Sequence, residues 1–261
     1  MITNNQIQEL AETFGVADLI VEKDYFIELF MVQAFLSGLF KKEIVFRGGT
    51  ALKKAYFRDY RFSEDIDFII FEKNKLNEFL EILKKIVNDI NKQYPWNSKI
   101  RSEINNERLQ AFVSYDIIPE IRTIKELKID IIEEDDKPAY PLMKMKFNHD
   151  DYKNVDVRVN TYELETVISD KMARIISITK EARDIYDLWK LMAMDLNIKL
   201  IKGEFKNKMG FDAEAQTVVK HMKNDVFKKT WKSRLEAQVP GLPSYEQVVD
   251  ELGSLMERKL G

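Results

Sequence analysis

The spacing of apolar residues changes once along the chain, near residue 160, and this change restricts the fold more than any other sequence feature. Before it, short strand-like segments alternate with helical ones; after it, the spacing is helical to the end. The strand-like segments are 43–47, 66–71, 99–104, 109–117, 127–132 and 155–159. The pattern predicts an α+β fold, with a mixed sheet and flanking helices over residues 1–160 and a helical domain over residues 161–261.

Composition excludes several classes of protein. The 261 residues include no cysteine, which excludes disulfides, thiolate zinc sites and cysteine nucleophiles. A helix is expected over residues 18–40, and its most apolar part, 27–40, is too short and too interrupted to span a bilayer. The first residues lack the features of a signal peptide. We expect a cytoplasmic protein without membrane association.

Basic residues are concentrated locally, although the net charge is −3. Residues 199–234 contain ten lysines and arginines against four acidic residues. Such a run is typical of a solvated helical face, and it is also what a phosphate-binding surface requires. Both interpretations stay open from the sequence.

Two adjacent glycines, Gly48 and Gly49, follow the strand-like segment 43–47 and precede a helical segment predicted over residues 50–56. Glycine allows the backbone to approach a phosphate closely, and a helix N-terminus favours anions. Thr50 is expected to cap this helix with its hydroxyl group. The spacing is not that of a P-loop, so the segment predicts either an ordinary tight turn or another kind of phosphate-binding turn.

Two carboxylates lie one residue apart in the segment 63–68. In a strand, Ser63, Asp65 and Asp67 project from one face, while Ile66 enters the core. Like charges this close repel each other unless a cation lies between them, and Mg²⁺ prefers carboxylate oxygens, waters and phosphates. The glycine turn followed by the carboxylate pair predicts a nucleotidyltransferase site for a nucleoside triphosphate (NTP) and two Mg²⁺ ions.

A third metal-binding carboxylate is expected from a neighbouring strand. Asp130 is the preferred candidate, because the segment 127–132 alternates regularly and places it opposite the apolar face. Asp116, in the strand-like segment 109–117, is the alternative.

Lys171 interrupts an apolar helical stripe and is the other conspicuous candidate. The stripe consists of Leu164, Ile168, Ile175 and Ile178. The lysine either extends along apolar surface to water or binds a triphosphate as a point charge. Asp184 and Asp187 begin the next helix. They are either acids favoured by the helix dipole or groups that orient Lys171 and Arg183.

The two histidines, His149 and His221, show no spacing typical of a zinc site and are expected to be ordinary surface or loop residues. No serine-hydrolase, zinc-protease or dinucleotide motif is present. No other catalytic motif therefore competes with the carboxylate pair.

Four elements in order resemble the AbiEii/AbiGii toxin family, which includes the MenT toxins of bacterial toxin–antitoxin and abortive-infection systems. They are residues 21–25 (Val-Glu-Lys-Asp-Tyr), 46–52 (Phe-Arg-Gly-Gly-Thr-Ala-Leu), 61–68 (Arg-Phe-Ser-Glu-Asp-Ile-Asp-Phe), and Lys171 with 183–188 (Arg-Asp-Ile-Tyr-Asp-Leu). The second and third are the most specific, and the resemblance covers roughly residues 20–190.

The resemblance implies a DNA-polymerase-β-like nucleotidyltransferase fold that binds an NTP with Mg²⁺. The residues implied to contact phosphates are Gly49, Thr50 and Ser63, those implied to hold metal are Asp65 and Asp67, and those implied to complete the site are Lys171 and Asp184. Asp130 rests on its strand pattern rather than on a family motif.

Some members of the family add nucleotides to tRNA 3′ ends. The resemblance therefore implies an RNA acceptor, foremost tRNA, and a cognate antitoxin protein as a partner. A small molecule or a protein side chain is an alternative acceptor for the same chemistry. A non-catalytic nucleotide-binding interaction module is the alternative from a different class, and the intact set of Asp65, Asp67 and Lys171 argues against it.

Overall fold

The computed structural model describes residues 1–135, 137–177 and 180–261. Their contacts divide the chain into two units, Met1–Tyr162 and Glu163–Gly261.

The first unit is built on a mixed β-sheet, which has seven strands in the described part of the chain. Their bounds are β1 Ile44–Arg47, β2 Asp65–Ile70, β3 Ile100–Asn105, β4 Arg108–Ser114, β5 Glu126–Glu133, β6 Leu142–Lys144 and β7 Arg158–Thr161. The strand order is β3-β4-β5-β2-β1-β7-β6. The pairs β2/β5 and β1/β7 are parallel, and the other pairs are antiparallel. The central strands β1 and β2 therefore bring the glycine turn beside the carboxylate segment.

Four α-helices accompany the sheet in the described part of this unit. They are α1 Asn4–Phe14, α2 Asp18–Leu36, α3 Gly48–Ala51 and α4 Leu76–Gln93, with a π-helical turn over Leu52–Tyr56 directly after α3. Helix α1 begins at a capping box, in which Thr3 and Gln6 exchange hydrogen bonds. Helix α2 ends earlier than the predicted residue 40, because Gly38 adopts a left-handed conformation (φ 84°) after it.

One face of the sheet is covered by helices. The apolar stripe of α4 packs against β3, β4 and α2. Alternate residues of β2 and β5 enter this core, and they are Ile66, Phe68, Ile70, Leu127, Ile129 and Ile131. The polar residues between them project from the opposite face.

The second unit is helical in its described part. Its helices are α5 Leu164–Ile176, α6 Ala182–Met192, α7 Ile198–Met209, α8 Ala215–Met222, α9 Asp225–Leu235 and α10 Tyr245–Leu260. Helix α5 packs against α6, α7 and α8, and α10 packs against α6 and α8.

The α+β class predicted from the sequence is confirmed, with a mixed sheet followed by helices. Strand β6 was not predicted, since three residues are too few to establish an alternating pattern. The last strand begins at Arg158 rather than at residue 155, because the N–H groups of Val155 and Val157 donate to the nearby carbonyls of Tyr152 and Val155 and not to a neighbouring strand. None of the described helices combines the length and apolar character that crossing a membrane requires.

Candidate active site

The two glycines at the end of β1 lie in close contact with neighbouring side chains. Gly48 adopts a left-handed conformation (φ +81°), and a side chain there would collide with the carboxylate of Asp67. A Cβ atom at Gly49 would lie 2.7 Å from Nη2 of Arg61 and 3.0 Å from Oγ of Ser63. The turn therefore packs its bare backbone against the segment that carries the predicted site.

Thr50 does not cap the helix, and this prediction was wrong. Helix α3 begins at Gly48, so Thr50 lies within its first turn, and Arg47 occupies the N-cap position without a side-chain cap. The buried hydroxyl of Thr50 instead donates a hydrogen bond to the backbone carbonyl of Asp65. Thr50 thus fastens the start of α3 to the start of β2.

Asp65 and Asp67 lie on the same face of β2. Both are partly exposed, whereas Ile66 and Phe68 between and after them are buried. Ser63, just before the strand, is also partly exposed. Two carboxylates at alternate positions beside a glycine turn offer hard oxygen ligands, and this donor set fits Mg²⁺.

Asp130 lies next to Asp67 in the sheet. The two residues are partners in the parallel pairing of β2 with β5, so their side chains share a face. Asp130 accepts hydrogen bonds from Lys128, Arg108 and Gln110, with Nζ of Lys128 2.7 Å from its Oδ2. Burial alone would raise the pKa of Asp130, but these donors hold it below its ordinary value. Its charge is already balanced by cations of the protein.

Asp116 lies beyond the end of β4, and β5 separates that strand from β2. Its side chain is half exposed and lies 3.0 Å from Nζ of Lys125. The sheet thus places Asp130, rather than Asp116, beside the carboxylate pair.

Two buried cations near the turn were not predicted as site residues. Arg61 is 6% exposed and donates a hydrogen bond to the carbonyl of Phe62. Lys53, in the π-helical turn, donates to the carbonyl of Tyr60 and lies 4.0 Å from the centre of the Phe62 ring. Burial lowers the pKa of Lys53 to about 8. Both residues hold the segment before Ser63. The sequence signal for Arg61 was its place in the family-like segment 61–68, and for Lys53 it was only its basic character.

His149 lies in a loop, as predicted, but it is buried rather than on the surface. Its Nε2 lies 3.2 Å from Asp24, and Asp24, Glu28 and His149 are close enough together to hold a metal ion. However, the ammonium group of Lys54 lies 2.8 Å from Asp24 and 2.5 Å from Glu28. A buried lysine therefore already supplies the positive charge that a metal would bring.

The pKa values of this buried cluster agree with an ion pair. Burial would raise the pKa of Asp24, but Lys54 and the hydrogen bond with His149 lower it. Burial would lower the pKa of Lys54, but its two carboxylate partners raise it. The cluster joins α2 to the π-helical turn and to the loop around His149.

Two further polar residues of segment 21–25, Glu22 and Tyr25, are structural as well. Glu22 is buried and accepts hydrogen bonds from the backbone of Ile117 and Ile118 and from Lys125. The hydroxyl of Tyr25 donates to Asp151. Segment 21–25, one of the four elements that resemble the family, therefore links α2 to three other parts of the first unit.

In the second unit, Lys171 is buried rather than extended to water. Its Nζ lies 2.9 Å from Asp184 and 2.6 Å from Asp187, which joins α5 to α6. Arg174 also binds Asp184, at 2.8 Å, whereas Arg183 pairs with Glu181. Ile178, assigned to the same stripe, lies outside the described residues. The role of Lys171 and Asp184 toward a triphosphate stays a prediction.

Comparison with known proteins gives one family match. The model of the family described as nucleotidyl transferase AbiEii toxin, type IV toxin–antitoxin system, matches residues 30–251. No curated protein matches the chain.

Among solved structures, the fold is similar to MenT4, a nucleotidyltransferase toxin from Mycobacterium tuberculosis H37Rv. The TM-score is 0.69 at 14% identity, covering 98% of this chain and 90% of that one. The antibiotic-resistance factor ANT(2'')-Ia aligns with a TM-score of only 0.37 at 13% identity, covering 81% of this chain and 94% of that one.

Proposed function

Because the chain belongs to the AbiEii nucleotidyltransferase toxin family, we propose that it transfers a nucleoside monophosphate from an NTP to an RNA, with the tRNA 3′ end as the specific acceptor. The observation that carries this proposal is the common sheet face of Asp65, Asp67 and Asp130, next to a turn whose first residue, Gly48, adopts a conformation that favours glycine. In this reaction the acceptor hydroxyl attacks the α-phosphorus and pyrophosphate leaves.

Asp65 and Asp67 would hold Mg²⁺, with Asp130 as the third carboxylate. Bound Mg²⁺ would lower the pKa of the attacking hydroxyl and neutralise the pyrophosphate. For Asp130 to join, Lys128 and Arg108 must release at least one of its oxygens, since both oxygens accept hydrogen bonds from the protein. Lys128 and Arg108 would then be available to phosphate oxygens.

The backbone of Gly48 and Gly49 and the hydroxyl of Ser63 would contact the triphosphate. Arg61, which lies beside Gly49, adds a buried positive charge to this segment. Thr50 would act as a positioning residue through its bond to the Asp65 carbonyl. We also keep Lys171 and Asp184 as proposed contributors, as the family resemblance implies.

A cognate antitoxin is the proposed protein partner, because the matched family is described as the toxin of a type IV toxin–antitoxin system. Co-expression of the neighbouring gene tests this. Relief of growth inhibition would support it, and unchanged inhibition would contradict it.

The acceptor is tested by incubating the protein with each of the four α-³²P-labelled NTPs, Mg²⁺ and a lysate separated into RNA, protein and metabolite fractions. The expected result is a label in RNA of tRNA size that ribonuclease removes and protease does not. Sequencing of the labelled 3′ ends identifies the added nucleotide. A label confined to protein or metabolites would overturn the RNA acceptor while keeping the chemistry, and no label in any fraction would overturn both.

A further inference from the structure

The basic segment 199–234 contains two kinds of lysine. Lys206 and Lys208 form ion pairs with Asp212 and Asp170. Other cations of the segment are exposed and, within the described residues, have no carboxylate at ion-pair distance; they are Lys199, Lys220, Lys223, Lys229, Lys232 and Arg234. Apart from Lys199 in α7, the unpaired charges are therefore concentrated in α9 and the residues just before it.

The packing of α9 fixes which way these charges point. Phe227, Trp231 and Leu235 recur every four residues and are buried, so they form the inward stripe. Lys229 and Lys232 lie three residues apart on the exposed side. Lys223 precedes the helix by one residue before the N-cap Asn224. We call Lys223, Lys229 and Lys232 the basic face of α9.

This arrangement weakens the isolated helix. Lys232 is a helical neighbour of both Lys228 and Lys229, and like charges at these spacings repel. Lys228 is neutralised by Glu246, 2.7 Å away, but no such partner accompanies Lys229 or Lys232 in the described chain. An anionic ligand would remove this repulsion.

We propose that the basic face of α9 binds the phosphate backbone of the acceptor RNA; this deepens the proposed function and rests on its RNA acceptor. Spaced, exposed lysines are sufficient for backbone binding, which is electrostatic and largely independent of sequence. An acidic protein fits less well, because lysine is depleted at protein interfaces, whose cores rely on aromatic and apolar residues. The one large apolar residue exposed on α9 is Val226, at 43%.

The test compares two double variants with the same charge change. Lys229→Gln/Lys232→Gln removes two unpaired cations, and the control Lys206→Gln/Lys208→Gln removes two paired ones. Glutamine is a good helix former, so both variants should fold, which circular dichroism would verify. The probes are a fluorescein-labelled single-stranded RNA oligonucleotide and bulk tRNA, measured by anisotropy over a series of KCl concentrations.

We expect the α9 variant to bind RNA several-fold more weakly than the wild type and the control. The slope of log K against log salt should fall by about 0.7 for each lost phosphate contact. In the labelling assay, KM for RNA should rise while kcat and the Kd for NTP stay unchanged.

RNA affinity and salt slope equal to those of the control would overturn the basic face as an RNA site. Loss of binding to a poly-glutamate peptide, with RNA binding intact, would instead assign the face to an acidic protein and overturn the proposal. If the α9 variant binds RNA more weakly but the wild type labels no RNA, the basic face of α9 remains an RNA-binding surface, and RNA is rejected as the acceptor. Unchanged RNA binding with continued RNA labelling would keep the acceptor and reject the surface.

Discussion

At position 48, both the backbone conformation and the lack of space for a side chain favour glycine. The left-handed φ of +81° disfavours any L-residue, and the carboxylate of Asp67 occupies the place of a Cβ atom. Gly210 has a similar φ of +76° but nothing within 4 Å of its Cβ position. Substitutions at the two glycines can therefore distinguish the effect of backbone strain from the effect of displacing Asp67.

Gly48→Ala should destabilise the protein and also abolish nucleotidyl transfer, because Asp67 must move. Gly210→Ala should cost only the backbone term, about 1–2 kcal/mol, with transfer retained. Urea unfolding and the labelling assay measure the two effects. Equal activities in the two variants would show that the space beside Asp67 is not needed.

Single substitutions also test whether Asp130 or Asp116 is the third metal-binding carboxylate. Asp130→Asn should weaken Mn²⁺ binding by about tenfold or more and reduce transfer, since Asp130 is beside Asp67 in the sheet. Asp116→Asn should change neither, because its carboxylate is half exposed and pairs with Lys125. Electron paramagnetic resonance of bound Mn²⁺ reads the affinity. The reverse pattern would assign the third carboxylate to Asp116.

At the scale of elements, α2 and the π-helical turn are joined by charges rather than by apolar contact alone. Lys54 is fully buried between Asp24 and Glu28, whose charges depend on it. Removing one partner of a buried ion pair leaves an uncompensated charge in the core.

Lys54→Met should destabilise the first unit by about 3–5 kcal/mol, as measured by urea unfolding. The control Lys42→Met breaks an exposed pair with Glu78 and should have little effect. A mild effect of Lys54→Met, equal to that of the control, would mean that water or rearrangement compensates the buried carboxylates.

Lys53, in the same turn, makes stability depend on pH. Its folded pKa is about 8, below the ordinary 10.5, because burial disfavours the charged form. Between these values the unfolded chain binds the proton and the folded chain does not, so stability increases as pH rises. The free energy of unfolding of the wild type, relative to that of Lys53→Met, should therefore increase by at most about 1.4 kcal/mol per pH unit between pH 8 and 10.5. Parallel stability curves for the two proteins would contradict this.

Across the whole molecule, the sequence predicted what local periodicity encodes. Alternation in β2 placed Asp65 and Asp67 on one face, and the regular pattern of β5 selected Asp130. It did not predict the hydrogen-bond donors that β4 supplies to Asp130, because Arg108 and Gln110 reach it only through the register of β4 with β5. Nor did it predict the burial of His149, which depends on a contact with Asp24 across 125 residues.

The net charge of −3 likewise hides an uneven distribution. Lys206 and Lys208 are paired, whereas the basic face of α9 has no carboxylate partners within the described chain. Counting charges along the sequence cannot separate these groups, since pairing depends on which helices and loops meet in three dimensions.

Asp67→Asn tests whether the carboxylates of β2 perform nucleotidyl transfer, because it removes the charge of the side chain while keeping its shape. With labelled NTPs, Mg²⁺ and total RNA, the wild type should label RNA. Asp67→Asn should lose several kcal/mol of transition-state stabilisation, which is about 100-fold or more in rate, while its circular dichroism spectrum is unchanged. Labelling of RNA by Asp67→Asn at the wild-type rate would contradict the account.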